Sequence, residues 1–261
     1  FKKDALLNGI NIVSKAIPSR TTMSILECIL IDADAGEIKL TGNDMELGIE
    51  TKVEGSILER GKIALEAKLF YEIIRKLPDG DTPVTITSDN RFNTVIECEN
   101  AVFNIQGRDG EEFSYLPYIE RDQHISLTQF TLKEAIRQTI FSISPNDSNK
   151  MMAGELLEVK DDFLKVVSLD GHRISIRNIQ LKEHYDNHKV IVPGKTLSEI
   201  SKILTGDNEK EVLIYFSKNH ILFEFDDTVV VSRLIDGEYF KIDHMLSSDY
   251  ETRVKLNKRD F

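Results

Sequence analysis

Lysine and arginine side chains, concentrated in four helix-like segments, are the groups in this sequence most able to do chemistry, because their cationic heads bind phosphate and carboxylate anions. Segments 1–20, 67–77, 131–141 and 194–204 together carry +7 and the whole chain carries −11, so the remainder carries −18. If the segments share one side of the fold, that concave side would hold a polyanion without reading its sequence. Helices that use Lys and Arg only as good helix formers would give the same counts, and charge alone leaves both interpretations open.

Carboxylates and histidines give weaker signs of a metal site or of catalysis. The run Asp32–Glu37 resembles a calcium-binding loop, but its glycine comes at position 5 instead of 6 and no glutamate follows at position 12. His172 has no second His or Cys at metal-ligand spacing. The sequence contains no motif for nucleotide binding, for a serine nucleophile or for a zinc hydrolase. We therefore predict a protein that is not an enzyme and that uses no metal and no cofactor.

The two cysteines, Cys28 and Cys98, each lie in a strand-like run and neither belongs to a C-x-x-C pair. Two separate thiols are typical of a reducing cytosol, which predicts a cytoplasmic protein. A disulfide between them is the less favoured alternative. No stretch approaches the roughly 18 apolar residues of a membrane-spanning helix, so we expect no membrane partner.

The two halves of the chain repeat each other at an offset of 127 residues, the kind of signal that reveals repeated structural units. Segment 62–77 aligns with segment 189–204, and each half carries an Asp-Gly pair followed three residues later by Phe. Each half reads as helix, strands, helix, strands. Among the positions identical in both halves are Lys62/Lys189, Lys68/Lys195, Glu72/Glu199, Ile73/Ile200, Leu77/Leu204, Asp109/Asp236, Gly110/Gly237 and Phe113/Phe240. First helices are predicted at 5–17 and 132–143, and strand pairs at 25–33 with 37–41 and at 155–159 with 163–168.

Two helices per half are too few to cover both faces of a sheet, so we predict an α+β fold with the helices on one face of antiparallel sheets. The predicted domains are 1–120 and 121–250, joined by a polar stretch near 118–126. Residues 251–261 resemble 124–132 and are expected to open a third repeat. On this interpretation the chain is a fragment that lacks one strand in front and about one repeat behind.

Five short motifs resemble, in order and across the whole chain, those of the bacterial DNA polymerase III beta subunits, the beta sliding clamps. Each motif is weak alone, but five in register are specific. They are SRTTMSIL at 19–26, LTGNDME at 40–46, SLDGHRI at 168–174, VIVPGK at 190–195 and RLIDGEY at 233–239.

The resemblance implies a non-catalytic processivity factor with three similar domains that closes head-to-tail as a homodimeric ring around double-stranded DNA. It implies that a clamp loader opens the ring with ATP, and that the replicative polymerase, other polymerases and repair proteins dock short peptides in a cleft. The matching motifs imply that Arg20 and Lys195 contact DNA. Further DNA-binding candidates, chosen by position and not by motif, are Lys68, Arg75, Lys76, Arg137, Lys150 and Lys202. The cleft residues implied are Asn149, Met152, Leu169, Gly171, His172, Arg173, Ile174, Phe240, His244 and Met245.

Three differences from the family's pattern concern the cleft. Leu169 stands where the family has Thr, Asn149 where it often has Arg, and residues 240–242 where it has Pro-Asp-Tyr. They predict a more apolar floor and a less basic rim. Two other classes of function stay open: a protein-interaction scaffold of the same fold without a DNA role, and a hydrolase that uses Asp44, Asp109 and Asp170.

Overall fold

The computed structural model describes residues 1–144, 149–246 and 249–261. Helices and antiparallel strands follow one another in the predicted order in both halves, which confirms the α+β class. The helices are α1 (Lys3–Val13), α2 (Ala67–Lys76), α3 (Gln129–Thr139) and α4 (Gly194–Ile203). The strands are β1 (Cys28–Asp32), β2 (Lys39–Asn43), β3 (Leu47–Lys52), β4 (Lys62–Glu66), β5 (Thr85–Ser88), β6 (Asn93–Cys98), β7 (Ala101–Gln106), β8 (Arg108–Asp109), β9 (His124–Thr128), β10 (Gly154–Leu169), β11 (Ile174–Pro193), β12 (Glu211–Phe216), β13 (His220–Phe225) and β14 (Thr228–Arg233).

One sheet of nine strands runs through both halves of the chain in the order β8-β4-β1-β2-β3-β14-β13-β12-β9. The halves meet where β3 pairs antiparallel with β14, with Ile49 opposite Val230 and Thr51 opposite Thr228. The strands β5-β6-β7 and β10-β11 form two further sheets. The sheet is continuous across the predicted boundary near residue 120, and the division into domains 1–120, 121–250 and 251–261 stays a prediction.

The helices pack in pairs, α1 with α2 and α3 with α4, and each pair covers the sheets of its own half. In α1 the buried residues Leu6, Ile10 and Val13 recur at the spacing of one helix face. The helix α2 begins where the Glu66 carboxylate accepts hydrogen bonds from two backbone N–H groups, an N-cap that satisfies donors left open by the first turn. The Thr128 hydroxyl caps α3 by accepting from one backbone N–H group, that of Thr131.

Two lysines that contribute to the positive charge of the helices have a structural role. Lys3 Nζ donates to the carbonyl oxygen of Leu77 at 2.6 Å, and Lys133 Nζ donates to the carbonyl oxygen of Leu204 at 2.7 Å. Each ammonium group therefore satisfies a carbonyl just beyond the second helix of its own half, where the helix dipole favours positive charge. The repeat has preserved the same contact in both halves.

The strand pairing predicted between 155–159 and 163–168 is wrong. Both segments belong to the single strand β10, and both pair with β11. The polar residues 160–162 look like a turn, and Asp161 does adopt a left-handed φ of 54°. The register shifts on either side of Asp161 mark a bulge, so the chain bends there but continues in the same direction.

Residues 251–261 are exposed and form no strand or helix. The resemblance to 124–132 led us to expect a strand there. An isolated strand has no neighbour to pair with its backbone groups, so sequence pattern alone does not stabilise it. None of the helices in the three described ranges is long and apolar enough to cross a membrane.

Candidate functional site

The eight cationic residues predicted as DNA contacts are all exposed. Six lie on helices: three on α2, one on α3 and two on α4. Arg20 lies in the loop that follows α1, and Lys150 begins a short 3-10 turn over Lys150–Ala153. Exposed ammonium and guanidinium groups on regular helices can reach phosphate oxygens without contacting bases.

Most of these cations are paired with carboxylates in this structure. Arg75 lies 2.8 Å from Glu72, Arg137 2.6 Å from Glu134, and Lys202 2.7 Å from Glu199. Each acid precedes its base by three residues, the spacing that brings side chains together on a helix.

The ion pairs lower the net charge that each helix presents. The Arg75 hydrogen bond lowers the pKa of the Glu72 carboxyl, and the Arg137 hydrogen bond lowers the pKa of the Glu134 carboxyl. Both acids therefore stay ionised around neutral pH, and a phosphate must compete with them. The acid spacing is visible in the sequence, but net-charge counting does not reveal that the charges are paired.

Arg20 and Lys68 differ from the cations that form these ion pairs. Within residues 1–144, 149–246 and 249–261, neither has a carboxylate within ion-pair distance. Lys68 lies in the first turn of α2 and Arg20 in an exposed loop, so both side chains extend into solvent. These two residues offer a full positive charge to an approaching polyanion.

Lys150 and Lys195 line the same cavity of about 470 Å³, at the beginning of α4. The rest of its wall is mainly apolar, including Ile140, Ile143 and Ile235. The Lys195 ammonium contacts the Asp44 carboxylate of the first half. The sequence does not indicate this contact, because the partners are separated by 151 positions.

Four of the residues implied for the docking cleft come together in one apolar cluster separate from the main core. Leu169 is buried at its centre, and Met152, Ile174 and Phe240 pack against it half-buried. The buried position of Leu169 agrees with the apolar floor predicted from its replacement of Thr. The cluster also contains Leu156, Val167, Ile191, Tyr239, Ile242, Met151 and Ile235, which the sequence reasoning missed.

Some of the missed residues have a sequence signal that marks them as buried. Leu156 lies opposite Ile191 across β10 and β11, and alternation along these strands marks such positions as inward-facing. Tyr239 gives no such signal. Its hydroxyl donates to the carbonyl oxygen of Val167 at 3.3 Å, and its ring meets Phe240 edge-to-face at 5.7 Å between centroids.

The predicted hairpin turn at Asp170-Gly171 is confirmed between β10 and β11. The Asp170 carboxylate accepts from the backbone N–H groups of His172 and Arg173 at 3.0 and 3.1 Å. These bonds, together with the Arg173 side chain at 2.9 Å, hold the pKa of Asp170 below its ordinary value. Gly171 takes a φ of 85°, which glycine adopts at little cost. The Arg173 guanidinium also lies 5.7 Å from the centre of the Phe141 ring.

The remaining implied cleft residues, Asn149, His244 and Met245, are exposed. The structure places Met245 beyond the short 3-10 turn that contains buried Ile242. The apolar cluster is therefore flanked along the chain by exposed residues.

Three histidines of the second half line one cavity. His184 and His188 belong to β11, and with His124 they line a cavity of about 280 Å³. The His188 ring stacks on Phe216 at 4.6 Å between centroids. In the part of the chain that the structure describes, no group of three or more His, Cys, Asp or Glu residues is arranged to hold a metal ion.

The acidic run that resembles a calcium loop surrounds a lysine. Lys62 Nζ lies 3.2 Å from Asp34, 3.1 Å from Glu111 and 3.9 Å from Asp32. The Asp32 carboxylate accepts the backbone N–H of Asp34 at 3.0 Å, as in an ordinary turn. An ammonium group thus neutralises these carboxylates.

Comparison with known families matches both halves of the chain. The family described as the DNA polymerase III beta subunit, N-terminal domain, matches residues 1–117, and the central domain of the same subunit matches residues 126–241.

Relatives and solved structures agree with those matches. A protein named beta sliding clamp from Staphylococcus epidermidis is 35% identical over 100% of this chain and 71% of its own length. A structure of a putative DNA polymerase III beta subunit from Eubacterium rectale is 66% identical, with a TM-score of 0.93, over 96% of this chain and 68% of that one. A DNA polymerase sliding clamp from Bacillus subtilis is 34% identical, with a TM-score of 0.90, over 95% of this chain and 67% of that one.

Proposed function

The chain belongs to the DNA polymerase III beta subunit family of sliding clamps, and on that premise we propose that its helices face duplex DNA enclosed in a ring and hold it without catalysis. A processivity factor must hold DNA without stopping on it. Topological enclosure supplies a long lifetime on DNA, so each phosphate contact can stay weak and screened by salt. Cations that are partly neutralised by neighbouring acids suit this task.

One observation carries the proposal: exposed cations on both helix pairs belong to halves that share one continuous sheet. The shared sheet fixes the two helix pairs relative to each other, so their positive side chains can act on one polyanion. The proposed DNA contacts are Arg20, Lys68, Arg75, Lys76, Arg137, Lys150, Lys195 and Lys202.

Lys68→Ala is expected to weaken binding to duplex DNA and to lower the slope of log K against log salt by about 0.9, the loss of one phosphate contact. Fluorescence anisotropy of a labelled duplex between about 50 and 200 mM salt measures this slope. Lys218→Ala is the matched control, because Lys218 is an exposed lysine between β12 and β13, away from the helices. Equal slopes for both variants and the unchanged protein would contradict a DNA role for α2.

Enclosure has its own test, which separates the ring from a scaffold of the same fold without a DNA role. The resemblance implies a third repeat and a homodimer, so the protein is loaded in a length that includes that repeat. After a clamp loader has placed it on nicked circular DNA, it should stay bound through gel filtration and slide off once the DNA is cut to a linear form. Equal retention on circular and linear DNA would favour the scaffold.

We further propose that the cluster around Leu169 is the floor of a cleft that binds peptides of the replicative polymerase, of other polymerases, of repair proteins and of the clamp loader. An apolar cluster that receives partly exposed Met152, Ile174 and Phe240 offers pockets for apolar side chains. The proposed lining is Asn149, Met152, Leu169, Gly171, His172, Arg173, Ile174, Phe240, His244 and Met245. A protein of this function works in the cytoplasm, where bacterial DNA is replicated.

A further inference from the structure

An ion pair between the two halves of the chain involves one of the proposed DNA contacts. Lys195 is the second residue of α4, and its ammonium group contacts the Asp44 carboxylate in the turn between β2 and β3. The Lys195 side chain is 60% exposed, whereas the Asp44 side chain is only 7% exposed. Asp44 is thus a nearly buried acid that meets a solvent-facing lysine.

The turn around Asp44 holds its carboxylate in a fixed position. One carboxylate oxygen, Oδ1, accepts from the backbone N–H groups of Glu46 and Leu47 at 3.0 and 2.6 Å. The Asp44 N–H donates to the carbonyl oxygen of Leu47 at 3.0 Å. The other oxygen, Oδ2, is the one that contacts Lys195. The acid is therefore preorganised to receive the ammonium group.

A second contact ties the same turn to the second half. The backbone N–H of Arg233 donates to the carbonyl oxygen of Glu46 at 2.8 Å, and the Arg233 guanidinium lies 3.6 Å from the Glu46 carboxylate. The turn therefore keeps its place beside α4 whether or not Lys195 is bound. This pair differs from those of Arg75, Arg137 and Lys202, whose acids belong to the same helix.

A lysine in the first turn of a helix is disfavoured by the helix dipole, and a carboxylate opposite it offsets that cost. The same carboxylate occupies the ammonium group that a DNA phosphate would bind. We propose that Asp44 is a positioning residue that holds Lys195 and weakens its attraction for phosphate, so that DNA exchanges with the carboxylate instead of binding a free cation. This inference rests on the proposed DNA contact of Lys195.

The test compares Asp44→Asn, Lys195→Met and the double variant in the 261-residue protein by anisotropy of a labelled duplex. Asparagine keeps an oxygen for the backbone N–H groups of the turn but loses the charge. Asp44→Asn is expected to tighten binding about three- to tenfold at about 50 mM salt and to raise the salt slope by about 0.9. Lys195→Met should weaken binding, and adding Asp44→Asn to it should change nothing more.

Two outcomes overturn the inference. The first is an affinity of Asp44→Asn for the duplex that is unchanged or weaker. The second is an equal gain in affinity when Asp44→Asn is added to Lys195→Met, because Asp44 would then act only as a general negative charge. Circular dichroism checks the fold, and Asp44→Ser repeats the test if the asparagine variant unfolds. Lys202→Met separates the two proposals. If it weakens binding while Asp44→Asn gives no gain, only this inference fails; if neither lysine variant alters binding, the proposed DNA contacts on α4 fail.

Discussion

We expect the free energy of unfolding of Glu155→Gln, relative to that of the unchanged protein, to rise by about 3 kcal/mol between about pH 5.5 and about pH 8.5. Glu155 lies on β10 and is completely buried. Burial raises the pKa of its carboxyl to about 8, although the hydrogen bond from Thr139 opposes the shift. The acid is therefore mostly protonated in the folded protein at neutral pH and ionised in the unfolded chain.

The direction of the effect follows from which state binds the proton. Between about pH 4.5 and pH 8 the folded state holds a proton that the unfolded state has lost, so stability falls as pH rises through this range. Glutamine does not titrate, so the stability of Glu155→Gln does not fall for this reason as pH rises. The phenol of Tyr239, which faces Glu155, has its pKa raised by burial and stays neutral in the same range.

The contacts of Glu155 explain why only the protonated form fits. Thr139 Oγ1 lies 3.0 Å from Glu155 Oε2 and 2.8 Å from the carbonyl oxygen of Ala135. The hydroxyl has one proton, so when Ala135 receives it a protonated Glu155 can donate to Oγ1 in turn. Among the described residues nothing donates to Glu155 Oε1. A buried carboxylate with so few donors costs far more free energy than a neutral carboxylic acid or amide in the same place.

Urea unfolding followed by far-ultraviolet circular dichroism at the two pH values measures the effect. Glu158→Gln is the control, because Glu158 lies on the same strand, is partly exposed and is 3.9 Å from Lys189, a long distance for an ion pair. The control variant should keep the pH profile of the unchanged protein. A Glu155→Gln profile parallel to it as well would mean that Glu155 is ionised in the folded state.

The sequence predicts well those elements whose signal is local. The strand pair predicted at 25–33 with 37–41 is found as β1 paired antiparallel with β2. The repeat offset of 127 is the distance between the first residues of α2 and α4. Periodic burial and turn chemistry are properties of neighbouring residues, so a single sequence contains them.

Contacts between distant segments are not visible in the sequence. The strand β3 was not predicted, although Leu47 and Ile49 alternate with less apolar neighbours, and nothing indicated its pairing with β14. The stretch near 118–126 was predicted as a polar connection. Ile119 in that stretch is buried against the second half, where it packs with Tyr215 and Leu222.

In the candidate site, too, features with a local signal were predicted and contacts between distant segments were not. Exposed cations follow from composition and helix spacing, but their pairing with acids depends on rotamers and on neighbouring elements. Resemblance supplied Leu169 and Phe240, whereas Tyr239 enters the apolar cluster through a hydrogen bond to another strand. Asp44, in the turn between β2 and β3, contacts Lys195 only because folding brings that turn beside the beginning of α4.

Removal of the Phe223 ring is the second large effect we expect. Phe223 lies on β13, is completely buried and pairs with Val230 of β14, the strand that joins the two halves. Phe223→Ala loses buried apolar area and leaves a cavity, which should lower the free energy of unfolding by about 3–5 kcal/mol. Phe163→Ala, whose ring is 47% exposed, is the matched control and should cost less than about 1 kcal/mol.

The same variant tests whether the two halves unfold together. The β3–β14 pairing is reinforced by a buried hydroxyl pair, Thr51 and Thr228, 2.8 Å apart, and by Ile119 packed on the second half. Because these contacts are lost when either half unfolds, we expect one calorimetric transition that Phe223→Ala moves as a whole to lower temperature. Two transitions, of which only one moves, would instead show that the predicted domains 1–120 and 121–250 are independently stable, and that the shared sheet contributes little to their coupling.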